Sequence, residues 1–179
     1  MFLIRVMASL FEFLLAVVMS GVVICVTYRI FIKANPDFNM ETEIQKGNVS
    51  TGLLVATILI CASVFLQKGM ESVTGMFRLY LIAPDSAPLA LWQMILLAFG
   101  HLGISMFLAV MTISLTLRLF GRFTRHIHPG KELEKGNIAM GILLSGVVIV
   151  ATLYVSEGVG SLSKALVPQP SIGRIQVLK

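Results

Sequence analysis

Four long stretches of this chain contain no Asp, Glu, Lys or Arg: 13–28, 47–67, 86–117 and 136–156. An α-helix rises about 1.5 Å per residue, so about 20 residues cross the roughly 30 Å hydrocarbon layer of a bilayer. The shortest stretch gains the missing turns from apolar residues at 7–11 and 30–32. A chain that is 56% hydrophobic and 13% charged is not an ordinary soluble domain, of which about a quarter is charged. Nor is it polar enough to stay disordered. The alternating segments of about ten residues that build a membrane barrel are missing, so the spans are predicted to be helices. The fold class expected is an all-α integral membrane protein with four transmembrane helices.

An internal repeat organises those helices. A shift of 89 positions places Thr27, Arg29 and Phe31 on Thr116, Arg118 and Phe120, and Glu43, Lys46, Gly47 and Asn48 on Glu132, Lys135, Gly136 and Asn137. The register runs on without a gap through Gly52 on Gly141, Ile60 on Ile149, Gly69 on Gly158 and Ser72 on Ser161. Shared apolar composition aligns leucines by chance, but not two Lys-Gly-Asn triplets with an Arg and a Glu in one register. The chain therefore reads as two tandem, parallel-repeat helical hairpins. The first, with an amphipathic extension, occupies 1–83 and the second 84–167, followed by an extended tail at 168–179. Residues 1–21 look superficially like a signal peptide, yet the repeat needs them to complete its first helix, so they are expected to remain as a span.

Two helices per repeat insert both hairpins in the same orientation, and the halves are expected to be related by a pseudo-two-fold axis along the membrane normal. The connections at 29–47 and 118–136 then share one side, and they hold eight of the fourteen basic residues. Positive charge favours the cytoplasm, so the connections are predicted to face inward and both termini outward.

Several polar residues stand out. Lys46-Gly47-Asn48 and Lys135-Gly136-Asn137, with Glu43 and Glu132, form a helix-entry motif in which Asn is a favoured N-cap and Gly permits the bend. Gly52 with Ala56, and Gly141 with Ser145, are small residues four apart, the spacing that lets helix backbones approach in lipid. In an antiparallel hairpin, positions share a depth when their numbers have a constant sum. That arithmetic pairs Glu12 with Lys68 and, one repeat on, His101 with Glu157, an exchange of acid and base at a depth where an isolated charge is costly. Met70, Val73, Met76, Phe77, Tyr80 and Leu81 take helical spacing in 70–82, so this segment is expected to lie on, or lean out from, the outer surface, with a weaker copy at 159–167. Pro84, Pro88, Pro168 and Pro170 are expected to end these segments.

The remaining inventory excludes more than it suggests. Cys25 and Cys61 lie in apolar runs and read as small buried hydrophobes. His126 and His128 sit two apart in a basic loop without a third ligand beside them, so no metal is expected. The net charge of +5 comes without a basic face interleaved with aromatics, so no nucleic acid is expected as a partner. There is no phosphate-binding glycine loop and no nucleophile with a base, so neither a catalytic residue nor a cofactor is predicted.

The twice-repeated Glu-[Ile/Leu]-x-Lys-Gly-Asn-[Val/Ile] at a span entrance, inside a tandem two-helix unit, resembles the bacterial inner-membrane family called domain of unknown function 350. The likeness covers about residues 20–72 and 109–161. It implies four spans in a bacterial inner membrane, and it brings no catalytic residues with it. The function expected is that of a non-enzymatic multi-pass membrane protein acting as an oligomerising scaffold or a subunit of a larger membrane complex. Its partners would be the lipid bilayer and further copies or other membrane subunits. The alternative is an ion or proton channel or transporter subunit built on Glu12, Lys68, His101 and Glu157.

Overall fold

The computed structural model describes residues 2–33, 39–82, 91–124 and 126–166. Six α-helices account for nearly all of them: α1 (Phe2–Thr27), α2 (Met40–Gln45), α3 (Val49–Ile82), α4 (Leu91–Phe123), α5 (Pro129–Glu134) and α6 (Ile138–Leu166). A π-helical turn at Tyr28–Lys33 extends α1. Four of these helices are long and apolar enough to cross a membrane, over Arg5–Ile32, Val49–Arg78, Trp92–Phe123 and Ile138–Ser163. Among the described residues there is no strand. The boundary expected at 83–84, the prolines at 84, 88, 168 and 170, and the tail at 168–179 lie outside the described residues.

The long helix α3 is the axis of the molecule. It packs against α6, α4 and α1, and α4 also packs against α6. Leu54, Ile58, Cys61, Ala62 and Leu66 of α3 form the main core with Val23 of α1, Ile113 of α4, and Leu144 and Val148 of α6. Both hairpins therefore contribute to one core. Cys61 is buried as expected, but Cys25 lies on an exposed face of α1.

Two expectations are corrected here. First, of the two placements expected for 70–82, lying flat on the surface does not occur, and the segment extends its span instead. It continues α3 without a break, and Val73 and Met76 pack with Leu102 of α4 and Phe11 and Leu15 of α1. Phe77 stacks on Phe11 with ring centroids 4.0 Å apart. The apolar stripe has two neighbouring helices to bury against, and burial of aromatic area is worth more than an interfacial position. Second, the halves are not related by a two-fold axis. Such an axis would bury the same residues of α3 and α6 against each other, yet α3 packs on α4 while α1 has no comparable contact with α6 among the described residues.

Candidate functional site

The two span entrances have the same local build. Gly47 and Gly136 both take φ +80, a left-handed conformation that glycine adopts without a Cβ penalty. At the first corner the Gly47 N–H donates to the Ile44 carbonyl and the Asn48 N–H to that of Glu43; at the second, Gly136 donates to Leu133 and Asn137 to Glu132. These paired bonds end α2 and α5 and satisfy their last carbonyls. The same asparagines then cap the following spans, Asn48 Oδ1 accepting from the Thr51 N–H at 3.2 Å and Asn137 Oδ1 from the Met140 N–H at 3.3 Å.

An acid closes each corner. Glu43 accepts from Lys46 Nζ at 2.7 Å and from Asn48 Nδ2 at 3.2 Å, and Glu132 accepts from Lys135 Nζ at 2.8 Å and from Asn137 Nδ2 at 3.0 Å. The ammonium of Lys46, then the amide of Asn48, holds the Glu43 carboxyl below the usual carboxylate range. At Glu132 the Asn137 amide contributes most and Lys135 next. The lysines are raised in turn by the same acids.

The corners differ in what they touch. Asn48 Nδ2 also donates to the Leu133 carbonyl at 2.8 Å, and Ser50 Oγ lies 3.0 Å from the same oxygen. The first corner is thus docked on the end of α5, whereas the Asn137 amide turns to Glu132 alone among the described residues. The preceding residues differ too. Asn39 caps α2 through Oδ1 to the Thr42 N–H, while His128, 89 positions on, takes φ 46 before Pro129 and offers no side-chain cap.

The small-residue pairs separate in the same way. A Cβ on Gly141 would lie 2.8 Å from the Ser50 carbonyl oxygen, so α3 and α6 approach closely there, and Ser145 is buried beside it. Gly52 has open space at its Cβ position, and Ala56 is exposed. The expected equivalence of the two pairs inside the chain does not hold, because α6 presents its glycine face to α3 and α3 presents a different face in return.

The polar residues at the other end of the spans pair differently from the depth arithmetic. Lys68 Nζ meets Glu157 at 2.9 Å, linking α3 to α6, and Glu12 meets Arg78 at 2.9 Å, linking α1 to α3. Glu12–Lys68 and His101–Glu157 are not contacts. The depth arithmetic is itself out of register: Glu12 and Phe11 lie level with Arg78 and Phe77, ten residues, or about 15 Å, along α3 from Lys68. Ten residues of helix turn through about 1,000°, so Lys68 and Arg78 point about 80° apart, one toward α6 and the other toward α1. His101 instead turns inward, 3% exposed, with neither ring nitrogen hydrogen-bonded among the described residues. It sits where Gly69 of α3 comes close to Ser105 and the His101 carbonyl. The hydroxyls of Ser72 and Ser105 are likewise buried without a partner among the described residues. Arg78 and Ser50 were missed in the sequence, although both are long-reach or hydroxyl donors at a span end, the signal that could have found them.

A groove of about 480 Å³ runs between α1 and α3, lined by Glu12, Ala16, Met19, Ser63, Gln67 and Glu71 among others. No group of three His, Cys, Asp or Glu able to hold a metal occurs among the described residues, and His126 and His128 stay exposed in their loop. A family model described as Domain of Unknown Function (DUF350) matches residues 5–162. No curated protein and no solved structure matches the chain.

Proposed function

This chain belongs to the DUF350 family, and from that premise we propose that it is a non-enzymatic, multi-pass membrane protein that oligomerises as a scaffold or joins a larger membrane complex. One observation carries this reading: the chain builds a close helix approach at Gly141 and leaves the matching small-residue face at Gly52 and Ala56 open. Lipid supplies no hydrophobic drive between helices, so such faces gain by packing against another helix. A bacterial inner membrane with inward-facing corners fits the basic connections. The mass of the purified protein in detergent or nanodiscs tests the reading. A mass above one chain, or a co-purifying membrane subunit, is expected, and a strictly monomeric protein without a partner overturns it.

A second reading, an ion or proton path, draws support from His101 and the buried hydroxyls of Ser72 and Ser105. Intramembrane ionisable residues mark such paths. Proton flux in liposomes that disappears in His101→Ala would put it first, and tight liposomes would remove it.

A further inference from the structure

The two halves carry matching surfaces and bury different ones. Inside the chain α3 is a ridge seated in the groove between α4 and α6. Phe65, fully buried, packs against Ala109 and Val159; Ser50 lies on Gly141; Gly69 abuts Ser105; Lys68 holds Glu157 at 2.9 Å. Advanced by 89 positions, the ridge residues Ser50, Phe65, Lys68 and Gly69 become Ala139, Tyr154, Glu157 and Gly158. All four are exposed on α6, Tyr154 to 82%. Moved back by 89, the groove residues His101, Ser105, Ala109 and Val159 become Glu12, Ala16, Ser20 and Met70. These four line the open groove between α1 and α3.

We propose that the exposed ridge of α6 docks in the α1–α3 groove of a second copy, so that copies assemble head to tail in the membrane plane. This rests on the oligomer reading above and specifies its interface. Each subunit contact repeats the contact that α3 makes within the chain. Tyr154 takes the place of Phe65 and fills the groove beside Ser20 and Met70. Gly158 lets α6 approach the neighbouring α1 as Gly69 lets α3 approach α4. A mid-helix glycine weakens a helix, and at Gly158 nothing inside the chain comes within 4 Å of a Cβ position to make use of it. The charges agree. The exchange of Lys68 for Glu157 between the halves sets each Glu157 between its own Lys68 and the neighbour's, so acid and base alternate along the assembly. A contact between unlike faces repeats until a rotation closes it. With both hairpins inserted in the same sense, as the repeat implies, that rotation is about the membrane normal, and where it closes the product is a ring.

Two variants with intact monomers test this: Gly158→Leu blocks the ridge, and Gly52→Leu blocks the groove helix where the internal template has Gly141. An added Cβ at either position meets nothing within 4 Å, so helical circular dichroism should match the parent, and thermal melting should fall only by the loss of the subunit contact. Gly69→Leu, which collides with Ser105, should unfold the monomer as a control. In native mass spectrometry each variant alone is expected at the mass of one chain, and the equimolar mixture at twice that mass, because one good ridge meets one good groove. In a Cys25→Ala background, Tyr154→Cys with Ser20→Cys should crosslink between chains with a short bis-maleimide. An oligomer unaffected by both variants overturns the interface while leaving the oligomer reading intact. A mixture without heterodimers shows a self-complementary contact and also overturns it. A parent protein that is monomeric throughout removes the oligomer reading itself.

Discussion

Removing the capping asparagine at each corner should cost different amounts, although the two motifs read alike. Asn137→Ala loses the cap on the Met140 N–H, and helix caps contribute about 1 kcal/mol. Asn48→Ala loses the cap on the Thr51 N–H and, in addition, the 2.8 Å bond from Nδ2 to the Leu133 carbonyl. A hydrogen bond between neutral groups adds about 1 kcal/mol. The Leu133 carbonyl is not orphaned, because Ser50 Oγ remains 3.0 Å away, so no further desolvation cost is incurred. Each variant also loses its amide bond to the corner acid, Glu43 or Glu132, so Asn48→Ala is expected to cost about 1 kcal/mol more than Asn137→Ala. Reversible unfolding by sodium dodecyl sulfate, followed by Trp92 fluorescence and helical circular dichroism, measures both. The dispersed monomer is required, most simply in a Gly158→Leu background, because a neighbouring copy could supply Asn137 with the same second bond. Equal losses in that monomer would refute the one-sided docking of the first corner on the second.

Acid should loosen the corners. The carboxyls of Glu43 and Glu132 are held low by their lysine and asparagine donors, so folding prefers the ionised form; this stabilisation is complete above the unfolded carboxyl value of about 4.3 and is lost as pH falls through the lower folded value. Melting temperatures measured from pH 6 to pH 3 should fall below that point, and Glu43→Gln with Glu132→Gln should flatten the profile. Double-mutant cycles should find coupling between Lys68 and Glu157 and between Glu12 and Arg78, which are in contact, but additivity between Glu12 and Lys68. Cysteines placed at Asn39 and His126, in a Cys25→Ala background, should react with an impermeant maleimide only from the cytoplasmic side, and one at Trp92 only from the other side; reaction of Asn39 and His126 from opposite sides would break the hairpin topology.

The parts of this fold legible in the sequence are those that one dimension determines. Uncharged runs of 16 residues or more fix where helices cross, because charge in hydrocarbon is costly whatever the neighbours. Lys-Gly-Asn fixes the corners, because a left-handed residue followed by a capping side chain is a local requirement. Neighbours need a second coordinate, the direction a residue faces around its helix. Lys68 and Arg78 illustrate this: both are basic residues of α3, and their height, about 15 Å apart, together with their azimuth decides which of them meets α6. The π-helical turn at Tyr28–Lys33 adds a phase change that an ideal 3.6-residue period does not contain. The glycine pairs were legible as contact faces, but which of two equal faces the chain uses depends on the rotation between its halves.

That rotation leaves the same signature at both ends of the membrane. At the corners, Leu133 is buried to 3% exposure under Asn48 and Ser50, while Ile44, its counterpart 89 positions earlier, is 39% exposed. The donor that should reach an Ile44 carbonyl is Asn137, whose amide has no second partner among the described residues. About 30 Å away along α6, by its 1.5 Å rise over the 21 residues to Gly158, the ridge is again complete and again unused. A lipid-facing surface needs no such match, since lipid accepts any apolar side chain and prefers no capping amide or glycine notch. Two ends of one helix, a bilayer core apart, each lack the contact that the other half of the chain makes. One docking event on the corner and groove of another copy would supply both.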